Sequence, residues 1–137
     1  MRRLLHSWPL AWIAFACACQ PTFEPAGSLS IDGATFTPTA CRVLTRGGIE
    51  LSDASGARLE LSLPPARLEA FKDLSGSPIA RYTPSGRSAV ELGACGSLTL
   101  TGEGYHGSGK RAASGTTSLD CSGGVTLKGD LSFTGCF

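Results

Sequence analysis

The chain has 137 residues, of which 42% are hydrophobic and 17% charged, with a formal net charge of +1. That length suits one domain rather than two, the apolar content is enough for a core, and the near-neutral balance gives no bulk attraction for nucleic acid. All eighteen glycines lie beyond residue 26 and the chain contains no asparagine, so turns must be built on glycine, proline, aspartate and serine.

The first segment is an export signal by its physics. Arg2 and Arg3 form a positive start, Leu4 to Phe15 is an apolar run too short to span a bilayer, and small residues follow in Ala14-Phe15-Ala16-Cys17-Ala18-Cys19. This small-residue-then-cysteine ending resembles the lipobox of bacterial lipoproteins. The resemblance covers about the first twenty residues and implies removal of residues 1–18 and diacylation (palmitate among the acyl chains) of Cys19 as the new N-terminus. Cys17 is the alternative lipid site, but bulky Phe15 stands two residues before it, where lipoboxes hold something small. Ala14-Phe15-Ala16 and Ala16-Cys17-Ala18 also satisfy the A-x-A rule for plain secretion. Gln20 follows Cys19, and the absence of Asp there implies, by the same resemblance, the outer membrane in a Gram-negative host.

Processing before Cys19 removes Trp8, Trp12, His6, Met1, Arg2 and Arg3, which leaves ten basic against eleven acidic residues. Residues 19–27 read as the lipidated cysteine with a short proline-containing tether, and 28–137 as a single β domain. From Ser28 the apolar period becomes two. Leu29 and Ile31, then Leu59, Leu61 and Leu63, Leu98 and Leu100, Val125 and Leu127, and Leu131 and Phe133 each share a face. Turn pairs such as Asp32-Gly33 separate these runs, so the expected fold is all-β, a small antiparallel sandwich or barrel.

One segment departs from that period. Pro64 to Asp73, with Leu68, Phe71 and Leu74 at spacings of three, predicts one short amphipathic helix. Pro78 and Pro84 then predict an edge or irregular strand over Ile79 to Tyr82, since proline cannot donate to a central ladder. Near the end, a three-residue loop at Lys128-Gly129-Asp130 would set Leu127 against Leu131 and Val125 against Phe133, with all four on one face. Cys95 to Glu103 and Cys121 to Asp130 echo each other weakly, as strand-and-turn chemistry does in a Gly/Thr/Leu-rich chain.

The candidate chemistry is sparse. Gly104 to Lys110 fits a phosphate-binding loop, yet Arg111 replaces the Ser or Thr that would hold Mg²⁺ and no helix pattern follows. His106 is the one histidine beyond the leader and stands among glycines, so a two-histidine metal site is excluded and a Ser-His-Asp triad would be poorly held. No C-x-x-C pair exists for zinc, and the carboxylates are scattered. No catalytic residue, metal or cofactor is therefore assigned. Arg42 with Arg46, and Arg81 with Arg87, are candidate small basic patches for an acidic glycan or lipid headgroup.

Cys41, Cys95, Cys121 and Cys136 form an even set that an oxidising compartment would pair. Of three connectivities, Cys121–Cys136 with Cys41–Cys95 is expected, because the strand before Gly123-Gly124 and the strand ending at Cys136 would be neighbours in any hairpin arrangement, which makes the local bridge cheap to form. The reading is a disulfide-stapled, lipid-anchored module of the cell envelope, a non-enzyme that binds an envelope protein or glycan or serves structurally, without nucleic acid. A small barrel carrying an apolar ligand is the alternative, and a secreted hydrolase the second.

Overall fold

The computed structural model describes residues 22–45, 47–63, 73–105 and 111–137. The described residues form eleven strands, β1 (Glu24–Ile31), β2 (Ala34–Phe36), β3 (Pro38–Val43), β4 (Gly48–Asp53), β5 (Arg58–Ser62), β6 (Asp73–Gly76), β7 (Ile79–Thr83), β8 (Val90–Ala94), β9 (Ser97–Tyr105), β10 (Arg111–Ser122) and β11 (Thr126–Cys136). They build two antiparallel sheets that do not close into a barrel, one of six strands in the order β2-β1-β11-β10-β9-β6 and one of five in the order β3-β4-β5-β7-β8.

The alternation read along the chain is the alternation of the core. Leu29, Leu98, Leu100, Leu127, Leu131 and Phe133 from the larger sheet meet Ile49, Leu51, Leu59, Leu61 and Leu63 from the smaller one, all at 3% exposure or less. Burying such side chains is the main favourable term in folding. The sheets cross steeply: β3 is bonded through Cys41 to Cys136 at the end of β11, whereas Val90 of β8 lies against Gly124 in the turn at the opposite end of that strand. The strand order of the smaller sheet thus runs along the strands of the larger, as in orthogonal packing, with only Thr37 between β2 and β3 at the corner.

Asp32-Gly33 closes the β1–β2 hairpin with both residues at positive φ, +51° and +81°, the geometry a two-residue turn requires to match strand twist. Asp32 also ties this turn to the rest of the sheet, because its carboxylate accepts the Thr126 amide at 2.7 Å.

Several expectations are corrected. Residues 24–27, read as tether, form the first half of β1 and pair with 131–134. Lys128-Gly129-Asp130 is not a loop: it lies inside the continuous strand β11, and the turn to β10 falls at Gly123-Gly124-Val125. A single strand puts Leu127, Leu131 and Phe133 on one face as well as a hairpin would, so periodicity alone does not separate the two. β7 is an interior strand between β5 and β8, because Pro78 and Pro84 both sit just outside it; its irregularity is a bulge at Ala80/Arg81. The helix expected over Pro64 to Asp73 falls outside the described residues, apart from Asp73, which opens β6 with Leu74 next to it.

The disulfides differ from the expected pairing. They are Cys41–Cys136 and Cys95–Cys121, with Cα separations of 4.9 and 5.4 Å. Cys121 pairs across the ladder with Leu127, so Cys136 lies about 30 Å farther along β11 at ~3.3 Å per residue, beyond bridging reach. Cys41–Cys136 joins β3 of one sheet to β11 of the other, and Cys95–Cys121 ties the β8–β9 crossover between the sheets to β10.

Candidate functional site

The outward faces of the two sheets are the candidate surfaces. On the five-stranded sheet, the register aligns Arg42, Glu50, Glu60, Arg81 and Glu91 in one row that crosses every strand. Arg42 Nη2 pairs with Glu50 Oε2 at 3.2 Å and Arg81 Nε with Glu91 Oε1 at 2.9 Å. Glu50 and Glu60 stand directly opposite each other, a like-charge contact that the flanking arginines offset. Arg58 and Thr83 complete a cleft of about 240 Å³ with Glu50, Glu60 and Arg81. Its mixed charge has no net attraction for an anion.

The six-stranded sheet presents small hydroxyls instead. Ala26, Ser132, Thr116, Thr99 and Ser75 form one row, and Ser28, Asp130, Ser118 and Ser97 the next. A shallow groove of about 450 Å³ runs between the two rows, past Gly27 and Asp130. Some hydroxyls are already engaged, Ser75 Oγ donating to Thr99 Oγ1 at 3.1 Å and Thr101 Oγ1 to Asp73 Oδ1 at 2.8 Å. Among the described residues no aromatic ring lines this groove, which there offers hydrogen bonds without a stacking platform.

At the rim formed by the β4–β5 turn, Asp53 Oδ1 accepts hydrogen bonds from Ser55 Oγ (2.7 Å), Ser55 N (2.9 Å) and Ala57 N (3.0 Å). The Ser55 hydroxyl, with the turn amides, holds the carboxyl below its ordinary pKa despite slight burial. Burial raises the nearby Tyr82 phenol, with the Asp53 and Asp32 charges adding to the effect; its ring packs edge-on to Phe36 at 6.4 Å. These contacts fix a turn and a sheet corner. They do not assemble a reacting centre.

Of the residues singled out from sequence, Arg42 and Arg81 are each neutralised by a glutamate, and Arg87 is exposed in the β7–β8 turn. Arg46, His106 and Lys110, like Cys17 and Cys19, fall outside the described residues. Among the described residues no group of three or more His, Cys, Asp or Glu side chains converges on a point that would hold a metal. The hydroxyl rows were missed in the sequence reading, although the alternating Ser/Thr of Thr99, Thr101, Thr116 and Ser118 was their signal. No family model matches this chain, and no curated protein and no solved structure matches it.

Proposed function

We propose that the protein is exported, lipidated on Cys19 and held outside the cytoplasm, where its β sandwich acts as a binding or structural module of the cell envelope. The observation that carries this reading is the export-type segment ending in Ala18-Cys19 directly ahead of a β domain with two disulfides. Such bonds persist in oxidising compartments and are rare in the cytosol. The groove on the six-stranded sheet, lined by hydroxyls together with the Asp130 carboxylate, suits a hydrogen-bonding partner such as a glycan or a polar protein surface. A carrier of apolar ligands is less well supported, because leucines at 3% exposure or less occupy the space between the sheets.

Expression of the full chain in a bacterium tests the anchor. Cys19→Ser is expected to abolish both membrane association and the acyl mass increment, while Cys17→Ser keeps both. The reverse result moves the anchor to Cys17, and loss in neither variant refutes lipidation. For the module, titration of the purified domain with isolated envelope glycan should perturb the amide signals of Thr116, Ser118 and Ser132; perturbation confined to the charged row would assign the partner to the other sheet.

A further inference from the structure

The chain is docked on the domain earlier than the sequence suggests. β1 starts pairing with β11 at Glu24, the Phe23 ring packs 6.3 Å from that of Phe133, and the Thr22 carbonyl lies so close to Gly135 that a Cβ there would strike it. Only Gln20 and Pro21 separate Thr22 from Cys19. Three Cα-to-Cα steps of about 3.8 Å reach at most about 11 Å, however the chain is bent. If the lipid sits on Cys19, as proposed above, that distance is all that parts the domain from the membrane.

We infer that the domain is held against the lipid headgroups by one particular end. The end that carries Thr22 also carries Thr134 to Phe137, and the Cys41–Cys136 disulfide brings the edge strand β3 to it. β11 then leads away from the membrane, and the turn at residues 123–125 stands about 30 Å farther out at ~3.3 Å per residue. The unpaired backbone of β3 faces the headgroups, a position in which no soluble strand can add to it. Among the described residues charge gives this end no net pull toward lipid, because Arg42 and Arg111 share it with Glu24, Asp73 and Glu103. Chain length does the orienting, so neutral lipid is sufficient.

Tryptophan fluorescence tests this directly, because Trp8 and Trp12 both precede Cys19 and the processed chain has none. Lipidated protein is purified from the full chain and reconstituted into phosphatidylcholine vesicles that contain a headgroup-nitroxide lipid. Phe137→Trp and exposed Thr39→Trp report the near end, and exposed Ser122→Trp the far end. The near-end reporters should be quenched several-fold more than Ser122→Trp. Inserting a flexible Gly/Ser segment of about 20 residues between Gln20 and Pro21, with an r.m.s. span of roughly 25 Å, should erase the difference. Equal quenching at both ends, or stronger quenching at Ser122→Trp, overturns the inference when the protein floats with the vesicles and carries the acyl mass. If it neither floats nor carries that mass, the anchor reading itself has failed and the inference falls with it.

Discussion

The six-stranded sheet turns rows of hydroxyls to solvent, with Asp120, Lys128 and Asp130 among them, and the five-stranded sheet turns a row of paired charges, although both back onto the same leucine core. In the larger sheet the backbone itself is the constraint: Gly27 at φ +100° and Gly129 at φ +133° sit within paired strands so tightly that a Cβ at either would collide with a carbonyl across the ladder. The smaller sheet has one such approach, at Gly48 against the Leu61 carbonyl, and side chains of opposite sign settle its outer row. A sheet held by close backbone approach is sensitive to adding one carbon atom. A sheet held by exposed ion pairs is sensitive to salt and tolerant of truncation.

The two disulfides set the largest expected effect. On the chain-entropy account, the 95-residue separation of Cys41–Cys136 is worth about 4.7 kcal/mol and the 26-residue separation of Cys95–Cys121 about 3.5. Urea unfolding of the paired Cys→Ala variants should therefore rank Cys41/Cys136 as the more damaging removal, by about 1 kcal/mol; the opposite order would show that native-state packing outweighs chain entropy. Next comes the backbone. Gly129→Ala should destabilise by about 1–3 kcal/mol more than Gly33→Ala, since both glycines have positive φ but only Gly129 has a neighbour in the way, and thermal unfolding of the two variants compares them.

Acid should reveal a smaller effect at the rim of the five-stranded sheet. Asp53 has a lowered pKa when folded, so its stabilising contribution is present above the ordinary carboxylate range and is lost as pH falls through the folded value. The melting temperature of the native protein should exceed that of Asp53→Asn at pH 7, and the gap should close as the pH drops below about 4. The smallest effect belongs to the charged row. Arg42→Ala should cost less than about 1 kcal/mol and still less in 1 M salt, because Arg42 is 65% exposed and its benefit is to relieve Glu50 facing Glu60.

Fold class and core were legible because alternation in Leu59-Glu60-Leu61-Ser62-Leu63 leaves little choice of structure. Connectivity was not, and one ambiguity accounts for much of that. Gly129 looks like a hairpin glycine, yet it fills an inward position of a long strand where the backbone of Ser28 comes too near for any side chain. Moving the turn from Gly129 back to Gly124 carries Cys121 from beside Cys136 to the other end of the ladder, and the expected disulfides fail together. The charged row was equally hidden, since Arg42, Glu50, Glu60, Arg81 and Glu91 are scattered over fifty residues and align only when the register is known. Two-residue turns such as Asp32-Gly33 carry their geometry in their own side chains and were read directly.

If the chain is exported as proposed, the nesting of one disulfide inside the other sets a problem of order, because the N-terminus would cross the membrane first. When Cys95 emerges, the one earlier thiol of the domain is Cys41, and the mismatched Cys41–Cys95 pair is the first bond an oxidant can make. Cys95 finds its own partner only after Cys121 follows, and Cys41 must wait for Cys136. Maturation by consecutive oxidation would thus pass through a bond that has to be undone by thiol–disulfide exchange. On that reading the yield of native protein would depend on a disulfide isomerase in the compartment rather than on an oxidase alone.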